Sequence, residues 1–407
     1  MITSNKTSMR VVVIGCGNIA SFYCSSMPHH PSLKLAGVMD VDDSRATAYA
    51  NYYSVPKYAD LAAVLNDKTV DLIINVTNPR SHFPVSKACL EAGKHVYSEK
   101  PLAMSFPDAK HLVELAERKG LTITSAPSRI LAETAQTMAK ALREKAIGKV
   151  HAIYAEMDGG LIYRSTYKEW VNEVGMHWPY KDELEVGCTI EHAGYPVSWL
   201  TAFFGPVETV TGFATCQIPD LQTDVPLDNV PPDLTVACLK FKSGPVARLT
   251  SSWIAPHDHS IRIFGDTGVL KTADVWEPRC PVYITRHRKF QLGPKSVFLP
   301  WNHKCPMVGP ASSSFTSSIR KMPRSPREIF RALRSRFLHL KERVDFCIGP
   351  AEVAASLFER RPCRLSHGYC LHNTEVVLAI HNSLQTGTHH KITTTFEPMD
   401  PMPWAQT

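Results

Sequence analysis

The chain has 407 residues, 44% hydrophobic and 20% charged, with a formal net charge of +7. These proportions are ordinary for a soluble globular protein and exclude a low-complexity or collagen-like chain, and the length asks for two domains. The mild positive balance suits a small anionic ligand such as a dinucleotide or a phosphorylated sugar. Neither zinc-finger spacing nor a basic patch interleaved with aromatics points to nucleic acid.

Eleven cysteines, an odd number with no C-x-x-C, read as small buried hydrophobes in a reducing compartment. MITSNKTSMR has no hydrophobic core of a leader, and no apolar run approaches the length of a membrane span. A cytoplasmic protein without a membrane span is expected.

In chain order, RVVVI (10–14) reads as a buried parallel strand, and NIASFYCSSM after the glycines as a helix. KLAGVMD (34–40), DLIINVT (71–77), KHVYSEK (94–100) and TITSAP (122–127) continue the strands. Helical patterns at 43–53, 84–93 and 106–120 alternate with them. Strand–helix alternation predicts a doubly wound parallel sheet of the Rossmann kind over 1–127.

The period changes near 148. HAIYAEMDG (151–159), VETVTGFATCQI (207–218), LTVACLKF (234–241), PVARLTSSWI (245–254) and SIRIFG (260–265) alternate with period two. They predict a large, mostly antiparallel open sheet in an α+β domain over 128–385, with helices at 350–360 and 370–384 and a tail from 386 to 407. Residues 285–325, rich in Pro, Ser and basic side chains, are expected as loop within an irregular basic insertion near 285–345. PREIFRALRSRFLHLKERV (326–344) has helical spacing. It reads either as a surface helix with a solvated basic face or as a contact for a membrane or an acidic partner.

GCGNIA (15–20) fits G-x-G-x-x-A after a strand and at the head of a helix. Gly15 permits the tight turn, Gly17 lets backbone approach a pyrophosphate, and Ala20 lets helix and strand pack closely. Asn18, Ile19 and their neighbours present free N–H groups and a positive dipole end to phosphate. Asp40 ends the next strand, where it can accept from ribose hydroxyls and repel a 2′-phosphate. This favours NAD over NADP, and Arg45 nearby blurs the preference. Thr77, Asn78 and His82 follow the third strand, where side chains or backbone can meet the cofactor. His82 reads equally well as an ordinary helix-start histidine.

EKP (99–101) lies at the carboxyl end of the fourth strand, the edge where open α/β sheets bind ligands. A lysine here can exchange a proton with a substrate hydroxyl, and a Lys–Pro bond can be cis. TIEHAGYP (189–196) places Glu191 and Tyr195 four residues apart, on one face if helical. His192 between them would point elsewhere and is a secondary candidate. No grouping of histidines and carboxylates has metal-ligand spacing, so no metal is expected.

GCGNIA, Asp40 with VDDSRA, NVTNPRSHFPV (75–85), EAGKHVYSEKPLA (91–103), Arg129 and the IGKV turn (147–150) together resemble the glucose–fructose oxidoreductase/inositol dehydrogenase (Gfo/Idh/MocA) family over nearly the whole chain. The resemblance implies a Rossmann domain, a C-terminal α+β domain used for homo-oligomer contacts, and hydride transfer between nicotinamide and a sugar or polyol carbon. The family's EKP lysine falls on Lys100, with Glu99 beside it near the cofactor. GCTIEHAGYP (187–196) matches the family's second motif, with Glu191 where the family has Asp and Tyr195 where it has His. Tyr195 is then the proton donor and acceptor, assisted by Lys100, and Glu191 orients them. Arg129, Tyr163, Arg164, His177 and Trp178 fall where substrate contacts are expected. The alternatives are a non-catalytic protein that binds dinucleotide or sugar to regulate a partner, and NAD-assisted glycoside cleavage.

Overall fold

The computed structural model describes residues 6–219, 231–292, 295–308, 345–383 and 389–406. Its first half alternates strands and helices: β1 (Met9–Ile14), α1 (Ala20–Ser26), β2 (Leu33–Met39), α2 (Asp43–Tyr53), α3 (Leu61–Asn66), β3 (Leu72–Asn75), α4 (His82–Glu91), β4 (His95–Ser98), α5 (Phe106–Lys119) and β5 (Ile123–Ser125). The five strands pair in parallel in the order β2-β1-β3-β4-β5. β1 is nearly all β-branched because both of its faces are covered. Val11, Val12 and Val13 are fully buried, and each contributes about 1.5–3 kcal/mol.

Local chemistry sets the helix ends. Asp42 caps α2 through the N–H groups of Ser44 and Arg45, and Ser105 caps α5 through that of Asp108. α5 stops at Gly120, whose φ of 63° is left-handed.

The second half begins with α6 (Glu133–Arg143), β6 (Val150–Asp158), α7 (Tyr180–Cys188), α8 (Gly194–Phe204), β7 (Val207–Thr215), β8 (Leu234–Phe241), β9 (Val246–Ser252), β10 (Ile261–Gly265) and β11 (Gly268–Thr272). β12 (Val282–Leu292), β13 (Lys295–Lys304), α9 (Ile348–Phe358), α10 (His367–His381) and β14 (His389–Lys391) complete it. Nine strands form one sheet in the order β13-β12-β11-β10-β6-β9-β8-β7-β14. Every neighbouring pair is antiparallel except β6 and β9. Trp199 of α8 is fully buried in the core.

Two expectations change here. Residues 285–292 and 295–304 are not loop, because β12 and β13 pair from Tyr283–Lys304 to Leu292–Lys295. Val282 and Ile284 are buried while Tyr283 is exposed, so the strand period is present; polar and basic residues further along masked it. Within the expected tail, β14 pairs with β7 and Ala405 is fully buried. The helix read at 326–344 lies outside the described residues.

The chain then returns to the first domain. The backbone N–H of Ile123 donates to His367 Nε2 at 3.2 Å, and Cys347 Sγ lies 3.2 Å from the Tyr23 carbonyl. Gly349 sits where a Cβ would stand 2.4 Å from the Tyr97 ring, so α9 packs against β4 through a position with no room for a side chain. No helix among the described residues is long and apolar enough to cross a membrane.

Candidate active site

The glycine turn between β1 and α1 is fixed from two sides. Gly15 has φ +98°, and a Cβ there would stand 2.6 Å from the Val76 carbonyl oxygen at the end of β3. Gly17 meets nothing within 4 Å of that position, so its face is open to a ligand's approach. α1 has no side-chain cap and no acid in its first turn, which leaves its N–H groups for an anion. Asp40 Oδ2 accepts from the backbone N–H of Cys16 at 2.6 Å, and Oδ1 from that of Asp42 at 2.8 Å. The acid therefore ties the end of β2 to the turn. Arg45 is exposed and paired with Asp42 at 3.3 Å. An open glycine face, an uncapped helix start and a carboxylate at the next strand's end form a cradle that fits a dinucleotide.

Beyond β3, the side chains of Asn75 and His82 hold the loops rather than face the crevice. Buried Asn75 donates to the His82 carbonyl and to Ser86 Oγ, and accepts from Thr77 Oγ1 at 2.7 Å. Asn78 caps the turn that follows through the N–H of Ser81. His82, 1% exposed, sets Nδ1 2.7 Å from the Pro101 carbonyl and Nε2 3.0 Å from the Thr77 carbonyl. It is a strut joining this loop to the EKP segment, and burial lowers its pKa.

At the carboxyl end of β4, Glu99 turns inward. It accepts from Tyr23 Oη at 2.6 Å and from the backbone N–H of Lys100 at 3.0 Å. The Lys100–Pro101 bond is cis. Lys100 reaches across the domain boundary and ion-pairs through Nζ with Glu191 Oε2.

Glu191 does not lie on an ordinary α-helix. Gly187, at φ +86°, kinks the chain within the last turn of α7. A Cβ there would stand 2.7 Å from Pro231, so only glycine fits. Thr189–Ala193 then form a π-turn that runs into α8. The widened turn presents Glu191 to Lys100, as such turns often do at functional sites. Tyr195, in the first turn of α8, packs against the Trp276 ring at 5.0 Å.

Electrostatics define the protonation states. Burial opposes the Lys100 charge, but the carboxyl groups of Glu191 and Glu183 outweigh it and hold the ammonium above the usual lysine range. Burial works against ionised Glu191, and the facing ammonium keeps its pKa low. Burial and then the Glu191 charge push Glu183 well above the usual carboxylate range. Burial raises the Tyr195 phenol, with Lys100 partly offsetting it. At neutral pH the site thus holds the Lys100 ammonium, the Glu191 carboxylate and the Tyr195 phenol, with Glu183 shifted toward its protonated form. Glu183 and Trp276 were not singled out from the sequence. An acid eight residues before Glu191 was the available signal for the first. His192 accepts from Trp253 Nε1 at 3.3 Å and is held neutral, pushed down to about 3 by burial.

The remaining candidates divide. Arg129, 7% exposed, donates to the Asp345 carbonyl at 3.1 Å and lies over the Phe346 ring. Its guanidinium anchors the 345–347 segment. Tyr163 and Trp178 pack against a small apolar cluster that includes Tyr167 and Trp253, Arg164 stacks on Tyr163, and His177 is exposed with Nδ1 3.3 Å from the Lys168 carbonyl. The segment holding them reaches the glycine turn. Asn18 Nδ2 donates to the Met176 carbonyl, and Asn172 Nδ2 donates to the Asn18 carbonyl, each at 3.0 Å.

Residues 9–126 match the family model described as oxidoreductase family, NAD-binding Rossmann fold, and 135–271 match the GFO/IDH/MocA C-terminal domain. The chain is 25% identical over 146 residues to the myo-inositol 2-dehydrogenase of Thermotoga maritima, covering 36% of this chain and 44% of that one. It is 23% identical over 227 residues to the NADP(+)-dependent scyllo-inositol 2-dehydrogenase of Bacillus subtilis, covering 55% and 61%. The matched stretches span between 29% and 61% of the length of the curated relatives. Among solved structures, the WlbA dehydrogenase of Bordetella pertussis, in complex with NADH and UDP-GlcNAcA, superposes with a TM-score of 0.66 at 16% identity, over 95% of this chain and 98% of that one. That likeness is one of fold.

Proposed function

Since the chain belongs to the GFO/IDH/MocA family of NAD-binding oxidoreductases, we propose that it transfers a hydride between nicotinamide and a carbinol or ketone carbon of a sugar, polyol or sugar derivative, with Lys100 and Tyr195 handling the proton on oxygen. The observation that carries this reading is the ion pair from Lys100, in one domain, to Glu191, in the other, beside Tyr195. It sits at the carboxyl edge of the parallel sheet, where the neighbouring Glu99 accepts from Tyr23 of α1, the helix that follows the glycine turn. The names of the inositol dehydrogenases similar to this chain support a polyhydroxylated substrate.

The turn at Gly15–Ile19 would hold the pyrophosphate and Asp40 the ribose of NAD. The bound nicotinamide supplies or accepts the hydride. Lys100 and Tyr195 are both donors, and a substrate oxygen between them receives two charge-stabilising hydrogen bonds. Glu191 keeps Lys100 charged and fixes its direction, since an ammonium on a four-carbon stem does not orient itself. In ketone reduction a proton passes from this donor pair to the oxygen, and in oxidation it returns to the pair. Because both donors are held protonated at neutral pH, reduction proceeds there directly, and oxidation accelerates as pH rises.

The test is a panel of polyols, aldoses and their ketones, assayed with NAD and with NADP. Wild type is compared with Lys100→Ala and Tyr195→Phe, and products are identified. Loss of one general acid lowers kcat by roughly 10²–10⁴-fold. Turnover that neither change affects would remove the assignment. Product without net cofactor reduction would favour glycoside cleavage.

A further inference from the structure

His257 and His259 stand two apart on an extended segment, so both leave the same face. The segment is held rigidly. Asp258 and Asp158 exchange backbone hydrogen bonds of 2.9 and 3.1 Å, and the backbone N–H of Val275 donates to the His259 carbonyl at 3.0 Å. This last contact places Asp274 alongside His259. One donor atom each from His257, His259 and Asp274 lie within 4.8 Å of one another.

His259 is 2% exposed, yet neither of its ring nitrogens makes a hydrogen bond. A buried imidazole with both nitrogens unsatisfied loses the free energy of its water contacts, on the order of 1–3 kcal/mol. Its Nδ1 lies 3.5 Å from Asp274 Oδ1. The same oxygen accepts from the backbone N–H of Trp276 at 2.7 Å, which fixes the carboxylate.

We propose that His257, His259 and Asp274 bind a divalent transition-metal ion at the wall of the substrate crevice. Two imidazoles and one carboxylate are a donor set for zinc, cobalt, nickel or iron(II), with positions left for water or a ligand oxygen. Donors bound to one ion stand about 3–3.5 Å apart at bond lengths of ~2.0–2.2 Å. Closing the set takes on the order of an ångström of side-chain movement, and the exposed His257 is free to make it. The crevice location follows from Trp276, whose ring lies 5.0 Å from that of His259 and 5.0 Å from that of Tyr195. One indole therefore separates the ion from the phenol. An ion there would meet the part of a polyol or sugar acid remote from the reacting carbon, through vicinal hydroxyls or a carboxylate.

The expectation of no metal passed over H-D-H at 257–259, because the third ligand comes from beyond two further strands and could not be paired with it by spacing.

Binding is read without turnover, so the outcome is independent of the proposed reaction. Tag-free full-length protein is freed of metal with a chelator and titrated with cobalt(II), following its visible absorption. One equivalent should bind and be displaced by zinc(II). His257→Ala, at an exposed position, should weaken the dissociation constant at least tenfold with an unchanged circular dichroism spectrum, and His259→Gln should abolish the signal. His29→Ala, an exposed histidine elsewhere, should change nothing. Absence of stoichiometric binding, or binding that His257→Ala leaves unchanged, overturns the site.

Discussion

Replacing Glu191 by glutamine removes the charge that faces Lys100 in a buried setting; the two side chains are 4% and 16% exposed. Stripping one partner from a buried ion pair costs about 3–5 kcal/mol when the other charge is left uncompensated. Here a substitute is at hand. Glu183 also acts on Lys100, and its pKa is raised first by burial and then by the Glu191 charge. Removing that charge shifts Glu183 toward ionisation, and an ionised Glu183 would take over as the partner of Lys100. Glu191→Gln alone should therefore cost roughly 1–2 kcal/mol, the value of a buried hydrogen bond, and Glu183→Gln/Glu191→Gln should cost the full ~3–5 kcal/mol. At roughly 2–4 °C per kcal/mol for a domain of this size, the single change lowers Tm by about 4 °C and the double by about 12 °C. Thermal unfolding at pH 7 measures both. The pH dependence has a definite sign. Glu183 has a raised folded pKa, so the stability its protonated form contributes is complete in acid and fades as pH rises through that value. Glu183→Gln should flatten this alkaline decline. If the single Glu191 change already carries the full loss and the second adds nothing, Glu183 does not compensate and the three-group account fails.

Gly15→Ala forces a side chain into the Val76 carbonyl at a positive φ, costing about 1–3 kcal/mol; a lower Tm and a raised NAD dissociation constant by calorimetry are expected. Asp40→Ser removes the charge opposed to a 2′-phosphate and should raise the NADP-to-NAD ratio of kcat/KM at least tenfold, measured by steady-state kinetics. Asn172→Ala removes hydrogen bonds to the Asn18 carbonyl and to Tyr49 Oη. It should raise KM for the dinucleotide several-fold with kcat little changed, and an equal fall in kcat would contradict a role confined to the turn.

The parallel half was legible because its signals are local. A strand buried on both faces has to be a run such as VVVI, and a glycine turn with an acid at the next strand's end lies within 30 residues of sequence. The outer hairpin of the second sheet was not. In β12 a strand period is carried by a few apolar residues among Arg, His and Lys, which composition alone reads as loop. The anchoring role of Arg129 was hidden for another reason. Its partners, Asp345 and Phe346, are more than 200 residues away in the chain, beyond the reach of any local pattern.

The site follows the same division. Sequence gave the residue types at 100, 191 and 195 but treated Glu191 and Tyr195 as one face of an α-helix. The π-turn separates their work, sending the carboxylate to Lys100 and the phenol to Trp276. Gly187 forces the break that permits this turn, because Pro231 occupies the space a side chain would need. The consequence reaches the other domain. Lys100 is oriented only when the second domain delivers Glu191, and Asn18 of the glycine turn is bonded in both directions to residues 172–176 of that same domain. The glycine turn and Lys100 are each completed from across the boundary. A change that loosens the domain contact should therefore weaken dinucleotide binding and lower the Lys100 pKa together, two effects that a site built within one domain would not link.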